Sequence, residues 1–182
     1  MNESTNIPLV PPPPANTTTT NAEPKLYSIS TKKLATLWVC SFGLYSLVWA
    51  YNNWQAIKNK GENISPGWRA IFSIFFYGSL FARILKYSKE KGYTETFSPA
   101  MLYCAMLVLF IVARISQYTS LVALFAFLPI IPVQKAIRFY NKSIDPNFQE
   151  PNKFWPGEIA VVVIGGILLA LSIIGFIGLL SK

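Results

Sequence analysis

Basic side chains beside apolar runs are the residues of this 182-residue chain best placed to do chemistry. Arg69, Arg83 and Arg114 flank or interrupt such runs, and Lys135 and Arg138 follow another. At the headgroup level of a bilayer, a guanidinium or ammonium group binds lipid phosphate or simply extends from the apolar layer toward water. We take these five residues as candidate lipid-phosphate contacts, with simple extension toward water as the alternative. For Arg69 and Arg83, about 20 Å apart along one expected helix, that extension reaches opposite headgroup layers.

Groups that usually support catalysis are scarce. The chain contains no histidine, which is the commonest general base and the commonest metal ligand. The carboxylates fall in tails, in loops or at the start of a helix, and Cys40 and Cys104 each lie inside an apolar run, where a thiol behaves as a small hydrophobe. No metal-type cysteine spacing, nucleophile elbow or phosphate-binding loop occurs. We therefore expect no enzyme activity, no cofactor, and no catalytic or metal-ligating residues.

A long uncharged run indicates a membrane. From Ile159 to Ser181 no charged residue occurs, and about 20 apolar residues in a helix cross the hydrocarbon core. Only 13% of all residues are charged, about half the usual share of a soluble domain. The net charge of +8 is spread between apolar runs instead of forming one stripe. We therefore expect membrane lipids, and no nucleic acid, as the partner.

The pattern of apolar runs predicts an all-α membrane protein with about five membrane-embedded helices. A disordered tail rich in proline and threonine is expected over 1–26, and a polytopic domain over 27–182. The expected helices cover about 32–52, 68–86, 99–115, 118–133 and 156–181, with a short amphipathic helix on the membrane surface over 133–142.

The segment 99–133 is too long for one crossing. A continuous helix would place Arg114 near mid-bilayer at a cost of at least about 2.5 kcal/mol. A turn at Arg114, Ser116 and Gln117 avoids this cost. The segment then forms either two spans or a re-entrant hairpin, and the sequence leaves both open.

Lysine and arginine set the predicted orientation. With five spans and the N-terminus inside, 11 basic residues lie on the inner side and 5 on the outer side, out of 16. We therefore expect a bacterial inner-membrane protein with a cytoplasmic N-terminus and a periplasmic C-terminus. A faint similarity between Gln55–Lys58 and Gln134–Arg138 would put two copies on opposite faces, as inverted repeats do.

Two stripes of small or polar residues predict close helix packing. They comprise Gly43, Ser46, Ala50 and Asn53 in the first run and Gly166 and Ala170 in the last. Small residues let helix backbones approach, and Ser and Asn hydrogen-bond across helices. Such a stripe is a candidate seam for another membrane helix or a second copy; the alternative is packing within the chain while neighbouring aromatic residues face lipid.

Part of the chain resembles a family of small bacterial membrane proteins known as a domain of unknown function. The residues that carry the resemblance are Gly43-Leu44-Tyr45, Trp49, Tyr51, Asn53, Trp54, Ile57, Lys58, Pro66, Arg69 and Ala70, with Leu128-Pro129, Pro132-Val133-Gln134, Ala136-Ile137 and Asn141 farther on. The resemblance implies a multi-span inner-membrane protein and implies no activity.

These observations lead to two functional expectations. The first is a non-catalytic protein that contacts lipid or assembles with itself or another membrane protein. The second is a small channel or transporter for an unidentified solute, suggested by the broken segment 99–133 and the internal similarity.

Overall fold

The computed structural model describes residues 23–180, and these residues are all-helical, without a β-strand. Seven α-helices and one 3-10 helix occur in this range. In chain order they are α1 Thr31–Cys40, α2 Tyr45–Asn59, α3 Pro66–Ile71, α4 Ser73–Glu90, α5 Pro99–Ile115, the 3-10 helix Gln117–Phe127, α6 Ile130–Ile144 and α7 Pro156–Leu180.

The ordered packing begins before residue 27. The side chain of Asn141 accepts a hydrogen bond from the Leu26 N–H (2.9 Å) and donates one to the Leu26 carbonyl (2.8 Å). Leu26 is buried, and Glu23 forms salt bridges. The predicted tail is therefore wrong over 23–26, and its remainder, 1–22, lies outside the described residues.

The first apolar run is a helical hairpin and not the single helix expected over 32–52. It breaks at Ser41–Leu44, where Phe42 and Gly43 both have positive φ values (51° and 86°). Glycine adopts this conformation freely, which is why the chain can turn here. The 10 residues of α1 extend about 15 Å, roughly half of a hydrocarbon core about 30 Å thick.

α1 runs alongside the first half of α7 and in the same direction. Near their starts, Lys33 Nζ lies 2.7 Å from Glu158 Oε2. Seven residues farther along each helix, the Cys40 carbonyl oxygen lies so close to Gly165 that a Cβ there would be 1.8 Å from it. A side chain at 165 would push the two helices apart.

α2 leads back to the end from which α1 started. Its later residues Asn52, Gln55 and Asn59 face the segment 25–28, which immediately precedes α1. The hairpin therefore enters and leaves on one side of the molecule.

The second apolar run is also broken, at Phe72 between α3 and α4. The guanidinium carbons of Arg69 and Arg83 lie 4.6 and 5.5 Å from the centroid of one ring, the Trp54 indole. A straight helix would separate their Cα atoms by about 21 Å. Both charges therefore lie at one depth, and the expectations of one helix over 68–86 and of arginines at opposite headgroup layers are wrong.

α4 runs beside α2 in the same direction. The Tyr77 hydroxyl donates to the Ser46 carbonyl (3.0 Å) near the start of α2. Nearly three turns later, just beyond the α2 end, Tyr87 hydrogen-bonds to Glu62. α4 thus also leads back to the side where α2 ends.

The expected helix 99–115 is confirmed as α5, and the chain turns after Arg114 as predicted. Thr119 Oγ1 donates to the Val112 carbonyl (2.7 Å) and closes the turn. The returning segment is a 3-10 helix that ends at Phe127, not an α-helix over 118–133.

The amphipathic face predicted over 133–142 exists, but it does not lie on the membrane surface. Val133, Ala136, Ile137 and Tyr140 are all buried in the protein, within α6. Ser88 of α4 donates to the Ala136 carbonyl (3.0 Å), so the apolar face packs on protein instead of lipid.

Two helical stretches of the described chain are long and apolar enough to cross a membrane, Leu121–Ile144 and Pro156–Gly178. They support a membrane protein, whereas five spanning helices are unsupported. The most apolar part of the first stretch is 39% buried in the protein, against 6% for the second, so α7 is the more exposed to its surroundings.

Gly165→Ala should lower the free energy of unfolding by about 1–3 kcal/mol, because the new methyl group overlaps the Cys40 carbonyl. In a chain of this size the melting temperature in mild detergent should fall by about 2–4 °C per kcal/mol. The matched control is Gly166→Ala, because a Cβ at 166 meets no atom within 4 Å. Equal melting temperatures for the two variants would contradict the contact.

Candidate functional site

Charged residues gather at one end of the molecule, which we call the polar cap. It consists of residues 23–33, 54–62, 83–95 and 134–158. All six salt bridges of residues 23–180 lie in it, joining Lys25–Asp145, Lys33–Glu158, Lys60–Glu23, Lys91–Glu23, Arg83–Glu62 and Arg138–Glu150. The loops that leave α2 and α4 and the segment that enters α7 therefore meet on one side.

The N-terminal segment 23–30 fastens the cap together. Ser28 Oγ donates to Glu150 Oε1 (2.6 Å), and Gln134 Nε2 donates to the Ile29 carbonyl (3.1 Å). With the Asn141 bonds to Leu26, these contacts join α6 and the following loop to the start of α1.

Lys60 is a well-buried cation in the middle of the cap. Its ammonium nitrogen lies 2.8 Å from Glu23 Oε1 and 4.7 and 4.6 Å from the ring centroids of Tyr87 and Tyr140. Lys91 binds the second oxygen of Glu23 (2.5 Å). Hydrogen bonds from Lys60, Lys91 and Tyr140 lower the pKa of Glu23 to about 2, because they stabilise its charged form.

The guanidinium groups of Arg69 and Arg83 lie over the ring of Trp54, which is fully buried. Arg83 also pairs with Glu62, so its charge is neutralised. Arg69 lies over Trp54 and Phe76 and forms no salt bridge within residues 23–180. Aromatic rings hold this guanidinium in place and leave its N–H donors for an acidic ligand.

The five predicted phosphate contacts therefore divide into two groups. Arg83 and Arg138 are paired with Glu62 and Glu150. For Arg69, Arg114 and Lys135 the described residues supply no carboxylate partner. Arg114 lies at the tip of the α5 hairpin, and Lys135 is exposed on the outer face of α6.

A polar cluster joins the hairpin to α7. The side chain of Lys33 is 2% exposed, pairs with Glu158, and donates to the Lys153 carbonyl (2.9 Å). Tyr45 donates to Glu158 (3.3 Å), and the hydroxyls of Tyr45 and Tyr27 lie 2.9 Å apart. Glu158 also accepts from the Trp155 N–H at the start of α7 (2.8 Å).

An apolar groove of about 410 Å³ runs beside this cluster, between the α1–α2 turn and α7. Val48 lines one wall, and Val161, Ile164 and Leu168 line the other, with Gly165 and Cys40 at their contact. The groove continues toward Trp155 and Glu158 through a second depression of about 330 Å³. The geometry offers an apolar surface with a polar end and no assembled acid–base pair.

The predicted small-residue seam serves packing inside the chain. Ser46, Ala50 and Asn53 are buried, and Asn53 donates to the Trp49 carbonyl (3.0 Å). Gly43 forms the turn and lies near the Trp38 ring.

In α7 the glycine that contacts another helix is Gly165, which the stripe predicted from sequence leaves out. A Cβ at Gly166 would meet nothing within 4 Å, and Ala170 is exposed. Both glycines fit a small-residue pattern, so only the position of α1 distinguishes them.

Comparisons with protein-family models, with curated proteins and with solved structures found no match. The resemblance to a family of small bacterial membrane proteins therefore stays a prediction.

Glu158→Gln should lower the free energy of unfolding by about 3 kcal/mol, because it leaves the buried Lys33 ammonium without its carboxylate. Thermal unfolding in detergent measures the loss. Glu95→Gln is the matched control, since Glu95 is exposed and forms no salt bridge among residues 23–180. Adding Lys33→Met to Glu158→Gln should recover part of the loss. If neither the single nor the double variant differs from the control, the buried pair does not hold α1 to α7.

The depressed pKa of Glu23 predicts an acid-sensitive N-terminal segment. A lowered folded-state pKa stabilises the fold above the ordinary value of 4.5, and this contribution disappears as the pH falls to about 2. Glu23→Gln should therefore speed hydrogen exchange at Leu26 and Ile29 at pH 6, and its difference from the natural chain should vanish near pH 2. A difference that does not change with pH would contradict the role of the Glu23 charge.

Proposed function

We propose that this chain is a non-catalytic, lipid-contacting membrane protein whose α1–α2 hairpin is re-entrant, whose α5 hairpin reaches the far side, and whose α7 crosses the membrane completely. The observation that carries the proposal is the meeting, in the polar cap, of the segment before α1, the loops after α2 and α4, and the segment between α6 and α7. A helix that left the cap and crossed the bilayer could not bring its following loop back to the same cap.

The distribution of basic residues supports this threading. Residues 58, 60 and 69 join the cap side, so only Arg114 at the hairpin tip and Lys182 at the C-terminus fall on the far side, leaving 14 of 16 on the cap side. Five spans would give the weaker division of 11 to 5. Because basic residues are retained in the cytoplasm, the cap is cytoplasmic in a bacterial inner membrane.

Exposed apolar side chains supply the lipid-facing surface. They occur at the α1–α2 turn, around α3 and along α5 and α7, including Leu44, Trp68, Phe75, Ile111 and Ile174. At its boundary with the cap, Arg69 sits beside the exposed Trp68 on an interfacial helix. Tryptophan and arginine at the headgroup level favour contact with lipid phosphate.

The exposed face of α7 is the place for assembly. Gly166 and Ala170 meet no other part of the described chain closely, and small residues favour close approach of another membrane helix. A second copy or another membrane protein fits this face, whereas nucleic acid is not a partner of this proposal.

Of the two observations that suggested a transporter, the internal similarity no longer does so. The similar segments Gln55–Lys58 and Gln134–Arg138 were expected on opposite faces. Gln55 faces the segment 25–28, and Gln134 donates a hydrogen bond to the Ile29 carbonyl, so both lie against the N-terminal segment 23–30. Inverted repeats across a membrane would separate them.

The threading predicts that Asn63, an exposed residue of the loop between α2 and α3, is accessible from the cap side. The variant is Asn63→Cys in a chain whose Cys40 and Cys104 are replaced by alanine. A membrane-impermeant maleimide should label it only when the cytoplasmic face is open, because the α1–α2 hairpin returns to that face.

Gln149→Cys, also exposed, is the reference for the cap side, and Lys182→Cys is the reference for the far side. Labelling of Asn63→Cys together with Lys182→Cys would overturn the re-entrant threading and restore a full first span.

A further inference from the structure

The depth of each helix can be measured from its contacts. The Cys40–Gly165 contact places the tip of the first hairpin beside the tenth residue of α7, about 15 Å below the start of that helix. This depth is half of the hydrocarbon core. Tyr77 of α4 donates a hydrogen bond to the Ser46 carbonyl near the same tip. The start of α4 therefore lies at most one or two helical turns deeper than mid-membrane.

Among residues 23–180, three segments continue deep into the far half, whereas α4 reaches it by at most its first one or two turns. A Cβ on Gly78, the neighbour of Tyr77, would lie 3.4 Å from the Tyr103 ring, which fixes Tyr103 of α5 near mid-membrane. From there α5 runs away from the cap for 12 more residues, about 18 Å, to Ile115. The 3-10 helix returns from that depth, and α7 continues past Gly165, beyond the tip of the α1–α2 hairpin.

The cross-section is therefore strongly unequal in the two halves. Within residues 23–180, the cap-side half contains parts of α1, α2, α4, α5, the 3-10 helix and α7, and the far half contains mainly parts of α5, the 3-10 helix and α7. Because each helix with its side chains is about 10–12 Å across, the protein fills about twice as much area in the cap-side leaflet.

We propose that this chain acts as a wedge that senses and favours membrane curvature, with the cap-side leaflet on the convex surface. The inference rests on the proposed threading. A body that takes more area in one leaflet is accommodated best where that leaflet is already expanded, and the same physics makes helices inserted in one leaflet sensitive to curvature.

The test uses the full chain with a fluorescent label on Gln149→Cys, in the background without Cys40 and Cys104. It is reconstituted at low density into phosphatidylethanolamine–phosphatidylglycerol vesicles of mixed diameter that carry a second dye for membrane area. Single-vesicle imaging before and after a membrane-impermeant quencher separates molecules whose cap faces outward from those whose cap faces inward.

The wedge predicts opposite trends for the two orientations. Cap-outward density should rise roughly two-fold or more between vesicles of about 400 nm and about 50 nm, and cap-inward density should fall. Densities independent of diameter, or equal trends for both orientations, would overturn the wedge. If Asn63→Cys is labelled from the cap side while the densities stay flat, the wedge fails alone and the proposed function stands.

Discussion

A chain can turn at mid-membrane only if the backbone of the turn satisfies its own hydrogen bonds, and the α1–α2 turn meets this constraint. Lipid tails offer no partner for an N–H group, and each unsatisfied group costs several kcal/mol. Seven consecutive N–H groups, from Ser41 to Leu47, are bonded within the turn and the adjoining helix ends. Six bond to carbonyl oxygens, and Tyr45 donates to Ser41 Oγ (2.9 Å). The positive φ values of Phe42 and Gly43 are the conformational cost of this closed arrangement.

That constraint explains why the charges collect on one side. In the proposed threading the first hairpin returns without reaching the far headgroup layer, so its flanking lysines stay together with those of the later loops. The seven carboxylates of the described chain lie among them. The cap offers carboxylates and aromatic rings to cations that are partly buried, as Lys33 and Lys60 show. The polar cap and the apolar part of the protein therefore both follow from the same chain topology, in which the first hairpin returns to the side from which it started.

Local chemistry made some elements predictable from the sequence. Pro99 at the first turn of α5 and Arg114 near its end located that helix and its turn, and the spacing of Val133, Ala136, Ile137 and Tyr140 identified the buried face of α6. What covers that face was not predictable, because an apolar stripe packs equally well on lipid or on protein. The fully buried Gln134, which bonds to Ile29, is the polar residue that could have favoured protein.

The α1–α2 hairpin was missed because length and hydropathy report only total burial, not direction. The run Leu34–Tyr51 is long enough to cross a bilayer, and its break shows only in Ser41 and Gly43, two small residues that also occur in straight membrane helices. Hydropathy also gave no sign that Arg69 and Arg83 lie close together. Their separation in the sequence implied opposite headgroup layers, whereas in the structure both guanidinium groups lie over the Trp54 ring.

The residues that carry the family resemblance now have physical roles that concern folding. Gly43 makes the turn, Tyr45 bonds to Glu158, and Trp54 receives both arginines. A pattern of this kind specifies the hairpins and the cap, and it would be shared by any chain with this architecture. What such a chain does must then depend on features that the pattern does not specify. These are Arg69, held by aromatic rings, the groove beside α7, and the unequal cross-sectional area of the protein in the two leaflets. Under the proposed function all three act on lipid, and this is the physical reason to seek the function in the membrane itself.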